Sequence, residues 1–172
     1  SLPPASTVNR DHELSFLYRF RKTLWAWQDL YFKKPSGNPE RDIKIAVGPL
    51  QKDPSKGTEW NRGAYLVEAV AHCAECHTPR DSMGGPKLDM WLAGDPASPL
   101  GRPVPNITPA LRTGKGSWTE KDWTKFLATG IAPDGKVARA EMGQVTDGLN
   151  LLPKEYLRAM AIYLKSLTPV GQ

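Results

Sequence analysis

Between positions 12 and 32, Leu17, Phe20, Leu24, Trp27 and Tyr31 recur at three- and four-residue spacing, which places them on one face of a helix. Phe16, Trp25 and Phe32 widen that face, and Arg19, Arg21, Lys22, Gln28 and Asp29 mark the other sides. So heavy an aromatic load does not suit a free surface helix; the pattern predicts packing on the chain's own domain, on a partner subunit or on a membrane surface. Residues 1–11, polar and with paired prolines, read as an arm. Residues 33–57 break the periodicity, because prolines and glycines bracket one short apolar piece, Ile43 to Val47, and a long irregular wrap is expected. Periodicity returns at Thr58, a candidate N-cap for a helix through Trp60, Ala64, Val67, Val70 and Ala71, with Gly63 allowing another helix to approach. The natural partner is a last helix over 153–167, with Pro153 in its first turn and an apolar stripe of Tyr156, Met160, Tyr163, Leu164 and Leu167. Between the two, Thr119 and Asp122 form a capping-box pattern opening a helix with Trp123, Phe126 and Leu127, closed by Gly130. No strand ladder and no internal repeat is visible, so the fold class expected is mostly α.

The predicted helix from Thr58 runs into Cys73-Ala74-Glu75-Cys76-His77. These are the chain's only two cysteines, and two cysteines three apart with a histidine directly after the second read as a covalent c-type haem attachment site. On one helical turn each sulfur can add to a vinyl group of the same porphyrin, and the next residue can ligate the iron through an imidazole nitrogen. Zinc would require a second ligand pair, which His12 and His72 do not supply. A redox dithiol would follow a strand rather than a helix. One haem c, covalent through Cys73 and Cys76, is therefore the cofactor expected, and it must fill much of a core that the turn-rich remainder leaves incomplete. Four methionines compete for the second axial position. Met142 lies in a flexible stretch between the third and last helices, where a loop can cross to the face away from His77; Met160 reads as core, and Met83 and Met90 as edge positions. Met90, another residue or an open site remain the alternatives to Met142.

Twenty-three basic residues against eighteen acidic ones give a formal charge of +5 and a pI of about 9.2, which favours acidic protein surfaces or anionic membrane as partners. Nucleic acid is not expected, since neither a zinc-finger signature nor a basic recognition helix is present. No run of eighteen apolar residues occurs, so no transmembrane span is expected. The chain opens on Ser1 without a hydrophobic signal segment and reads as processed or trimmed. Haem attached through cysteines implies assembly outside the cytoplasm, which points to the periplasm, there or at the membrane surface. The division expected is an N-terminal extension, residues 1–57, and a monohaem domain, residues 58–172. Arg80, Asn106 and Trp118 are candidates for hydrogen bonds to haem propionates, with ordinary loop packing as the alternative for each.

The region from Trp60 to Leu167 resembles the class I c-type cytochromes: a helix with Gly63, then CAECH, then Gly85-Pro86-Lys87-Leu88, then a ligand methionine, then a terminal helix carrying Met160-Ala161-Ile162-Tyr163-Leu164-Lys165. The resemblance implies that the Pro86 carbonyl accepts a hydrogen bond from the His77 ring, that Leu88 packs on the haem face, and that Met142 is the sixth ligand. A closer resemblance, to the cytochrome c subunits of membrane-associated bacterial dehydrogenases, rests on Trp60 to Val67, Cys76-His77-Thr78-Pro79-Arg80, Gly84-Gly85-Pro86, Pro105-Asn106-Ile107-Thr108-Pro109, and Gly116-Ser117-Trp118-Thr119. The aromatic segment from Phe20 to Tyr31 resembles the piece joining consecutive haem domains in those subunits. They typically carry three haems and a proline after the ligand methionine, where this chain has one attachment motif and Gly143. The resemblance implies a class I cytochrome c fold with a helical extension, and one-electron transfer as a carrier or as a subunit of a dehydrogenase or respiratory complex. A small haem enzyme or sensor with an open or displaceable sixth position is the alternative.

Overall fold

The computed structural model describes residues 24–31 and 53–171. The chain separates into two compact units, Ser1–Asn38 and Pro39–Gln172. Within the first unit, helix α1 spans Leu24–Tyr31. Trp27 and Tyr31, one turn apart, set their rings 5.0 Å apart, while Trp25 and Leu30 are exposed. The remainder of the helix expected over 12–32, the N-terminal arm and the wrap up to residue 52 lie outside the described residues.

In the second unit, α2 spans Thr58–Tyr65. Gly57, not Thr58, takes the N-cap position, in extended conformation and with no side-chain cap. The reason lies one turn further in. Asn61 binds the entering loop from both ends of its amide: Oδ1 accepts the Asp53 N–H at 2.6 Å, and Nδ2 donates to the carbonyls of Asp53, Lys56 and Gly57 at 2.9, 3.0 and 3.1 Å. With the loop held this way, a Thr58 cap is not needed. Beyond Tyr65 the helix widens into a π turn, Leu66–Val70, in which the Ala71 N–H donates to the Leu66 carbonyl at 2.8 Å. His72, in the left-handed region at φ 50°, then redirects the chain into the short helix α3, Cys73–His77.

Helix α4, Glu120–Thr129, has both arms of the predicted capping box: the Asp122 N–H donates to Thr119 Oγ1 at 3.1 Å and the Thr119 N–H to Asp122 Oδ2 at 2.9 Å. Gly130, at φ 68°, closes it with an N–H to the Phe126 carbonyl. The stretch around Met142, expected to be a loop, is instead helix α5, Ala140–Leu149. Its start carries no side-chain cap, and Gly143 and Gly148 weaken its intrinsic propensity. Tertiary burial of Thr146 and Leu149 and contact with α4 hold it. Helix α6, Lys154–Ser166, follows Pro153 at the N-cap.

The core is the seam between α2, α4 and α6. Leu157, Met160 and Leu164 on α6 are almost wholly buried, each contributing on the order of 2 kcal/mol of apolar transfer. At the α2–α6 crossing the backbones touch. A Cβ on Gly63 would fall 1.9 Å from the Ala159 carbonyl oxygen, so only glycine permits the crossing. Trp60 seals one side of it, with its ring edge-on to Tyr163 at 5.2 Å and its Nε1 donating to Ser166 Oγ at 2.6 Å. Among the described residues no strand forms; three isolated antiparallel bridges, Arg80 with Pro86, Asp95 with Val104 and Ile131 with Val137, close turns. The mostly α class read from the sequence is the class observed.

Candidate functional site

Because α3 is a single turn and a half, Cys73, Cys76 and His77 fall on one side of it, and all three line a cavity of about 730 Å³. That is the size range of an organic-cofactor site. From α5, Met142, Val145 and Leu149 line the same cavity; their spacing of three and then four residues puts them on one helical face. The approach to α4 supplies Trp118, Trp123 and Phe126, packed with ring centroids 4.8 and 5.2 Å from Trp118.

His77 is oriented from the far end of a long loop. The Gly94 N–H donates to the His77 carbonyl at 2.7 Å, Asp95 and Val104 exchange backbone bonds at 2.9 and 2.8 Å, and the Ile107 N–H donates to the Leu92 carbonyl at 3.0 Å. This returning segment sets the Pro105 carbonyl 2.7 Å from His77 Nδ1. Gly94 is required there, since a Cβ on it would meet the backbone of Pro105 and Asn106 at 2.5–2.7 Å. A carbonyl can only accept, so Nδ1 carries the proton and Nε2 keeps the lone pair that can ligate. Burial, more than the Lys115 charge, holds the His77 pKa below the usual histidine range, against the pull of the Pro105 bond. Burial thus favours the neutral ring that a ligand must be.

The acceptor is therefore Pro105 and not Pro86. The Pro86 turn is closed on itself: Arg80 donates to the Gly84 carbonyl at 2.9 Å and to the Glu75 carbonyl at 3.3 Å, and the Lys87 N–H donates to the Pro79 carbonyl at 2.9 Å. Arg80 and Pro86 consequently lie off the main cavity, on a smaller pocket of about 240 Å³. Leu88 is also corrected. It is 55% exposed and outside the cavity lining, because the 3-10 turn Leu88–Met90 delivers Leu92 to the core instead, fully buried at φ 59°. Asn106 is committed elsewhere: it accepts from the Thr108 N–H and hydroxyl at 2.8 and 2.7 Å, and donates to Thr113 Oγ1 at 3.1 Å and the Val170 carbonyl at 2.8 Å. It ties the C-terminal segment to the loop. Of the three propionate candidates only Trp118 lines the cavity.

Two features escaped the sequence reading. Pro105 is 28 positions from His77, and its only signal is a proline-flanked turn. Glu68 accepts from Trp91 Nε1 at 3.2 and 3.1 Å and from the Tyr163 hydroxyl at 2.6 Å. A lone glutamate inside the apolar run Leu66 to Val70 was the available hint. Burial raises the Glu68 pKa despite these bonds, and burial together with Glu68 raises that of Tyr163. The Cys73 thiol is pushed up to about 12, mainly by burial and then by Glu68. Such a thiol is the opposite of the low-pKa thiolate a redox dithiol requires.

The donor set fits a covalently attached haem: two thiols on one turn, a neutral imidazole nitrogen and a thioether sulfur on one cavity, with aromatic and aliphatic walls. No protein-family model matches the chain. The chain is 36% identical over 171 residues to the diheme cytochrome c-type of Cereibacter sphaeroides, covering 99% of this chain and 51% of that protein. It is 31% identical over 165 residues to the fructose dehydrogenase cytochrome subunit of Gluconobacter japonicus, covering 95% of this chain and 31% of that one. It is 33% identical over 180 residues to the cytochrome c subunit of the quinone alcohol dehydrogenase of Gluconobacter oxydans, covering 98% of this chain and 34% of that one. The chain thus spans about half the length of the first of these relatives and less of the other two.

Proposed function

We infer that this chain, a c-type cytochrome resembling the haem domains of dehydrogenase cytochrome c subunits, transfers single electrons through one haem held by Cys73 and Cys76 within residues 58–172. The observation that carries this reading is the convergence of Cys73, Cys76, His77 and Met142 on one apolar-walled cavity. The haem, when bound, supplies an iron that gains and gives up one electron. The protein's part is positional. Cys73 and Cys76 fix the porphyrin, the Pro105 carbonyl fixes the tautomer and angle of His77, and Met142 offers a soft sulfur that favours the reduced metal. Trp118, Trp123 and Phe126, packed ring on ring, give the site an apolar aromatic wall.

The relatives named as cytochrome subunits of fructose, alcohol and gluconate dehydrogenases support a role as an electron-accepting part of a dehydrogenase complex rather than its catalytic part. That kinship, together with haem attached through cysteines, supports a periplasmic setting, at the membrane surface. Among the described residues no helix is long and apolar enough to cross a membrane. Net positive charge favours redox partners with acidic docking faces.

The test is spectroscopic. Haem should stay with the chain through denaturation, and oxidised protein should show the weak far-red band of methionine on ferric haem. Met142→Ala should abolish that band. A parent without the band, whose reduced form binds carbon monoxide, would instead place the protein with haem enzymes or sensors.

A further inference from the structure

Four cations line the cavity, and three of them are accounted for. Arg102 is paired with Glu141, Lys136 with Asp134 at 2.7 Å, and Arg139 sits exposed at the N-cap of α5. Lys115 differs. It is half-buried, and among the described residues no carboxylate pairs with it. Its Nζ lies over the Trp118 ring, 5.0 Å from the centroid. Its backbone is held on both sides, by its own N–H to the Thr108 carbonyl at 2.8 Å and by the Trp118 N–H to its carbonyl at 3.0 Å. The flanking glycines fix the loop further, since a Cβ on Gly114 or Gly116 would fall 2.3 Å or 2.6 Å from a backbone carbonyl oxygen.

An ammonium that has lost part of its water and has no anion is costly to keep. Burial lowers the Lys115 pKa, and the one acidic group that offsets this, Asp134, already bonds Lys136. A rigid loop that presents such a cation to a cavity is built for an anionic ligand group. Haem brings two propionate carboxylates, and no cavity residue read from the sequence supplies a positive charge for them. We propose that Lys115, seated on Trp118, is the cation that binds a haem propionate, and that its charge helps to hold the haem in the reduced state. This rests on the reading that haem occupies the cavity.

The experiment uses haem-loaded parent, Lys115→Gln, Lys115→Arg and, as control, Lys154→Gln. Covalent haem in the denatured parent is checked first; its absence would defeat the functional reading itself, separately from the Lys115 comparison. Midpoint potentials are then followed across pH. Removing a nearby charge in a poorly solvated site should move the ferric-to-ferrous ratio about tenfold toward ferric, a fall of about 59 mV for one electron. In Lys115→Gln the freed carboxylate should also add a pH-dependent step at higher pH than in the parent. Lys115→Arg should restore the parent potential and profile, and Lys154→Gln, an exposed charge off the cavity, should leave both unchanged. Parent-like behaviour of Lys115→Gln overturns the proposal. Equal shifts in the Gln and Arg variants also overturn it, since they would trace to loop packing rather than charge.

Discussion

Glu68 joins three segments through one carboxylate, accepting from Trp91 on both oxygens and from Tyr163 on one. Burial still outweighs those bonds and raises its pKa. The folded chain therefore holds this proton more tightly than the unfolded chain does. Its contribution to stability is complete below the unfolded glutamate pKa and is lost as pH rises through the raised folded value. Asp122 and Asp134 act in the reverse sense: hydrogen bonds from Thr119 and from Lys136 lower them, so their contribution is present above the unfolded range and fades as pH falls. Urea midpoints of Glu68→Gln and parent, compared from pH about 4 to about 8, should diverge in the variant's favour as pH rises. A constant gap would remove Glu68 from the pH response. The same contrast explains what could be read at single residues. Cys73, Cys76 and His77 are legible because haem attachment imposes a local spacing. Pro105 and Lys115 act through chain returns that no local spacing encodes; Pro86 and Leu88 rest on motif order, and Arg80 and Asn106 on side-chain chemistry, neither of which fixes where a loop turns.

At the scale of elements, the α2–α6 crossing depends on one missing methyl group. Gly63→Ala must push Ala159 away or separate the helices, which should cost on the order of 3 kcal/mol or more. Gly148, inside α5, has open space around its Cβ position, so Gly148→Ala should gain about 0.5–1 kcal/mol by helix propensity and reduced unfolded-chain entropy. Opposite shifts of the urea midpoint in the two variants check the pair; a tolerated Gly63→Ala would mean the helices do not meet there. Both the crossing and α4 were visible in the sequence, because a glycine on an apolar face and a Thr119–Asp122 box are local instructions. Helix α5 was not. Its only regular signal, Met142, Val145 and Leu149, is three residues long, and two glycines and an uncapped start argue against a helix. Packing decides it, so Met142 reaches the cavity from a helix's first turn rather than from a crossing loop.

At the scale of the whole second unit, the cavity sits where a core should be. Leu100, Val137 and Val145 line it yet remain 38%, 58% and 37% exposed, an apolar surface that water would otherwise cover. The α2–α6 seam is complete without that surface, whereas the 92–107 loop, α5 and the Trp118 cluster all meet across it. A bound haem therefore adds folding energy unequally, most to the segments that meet across the cavity. The double substitution of Cys73→Ala with Cys76→Ala removes both covalent links while leaving His77 and its Pro105 bond in place. Haem-free chain of this kind should keep most far-ultraviolet helical signal, from α2, α4 and α6. It should lose much of the near-ultraviolet signal of Trp118 and Trp123, bind a hydrophobic dye and unfold over a broader range of urea than haem-loaded parent. Adding haem back should recover part of the sharpness through His77 and Met142 alone. If the haem-free chain unfolds as sharply as the parent, with the same aromatic signal, the cavity is a preformed socket and the cofactor is not part of its core.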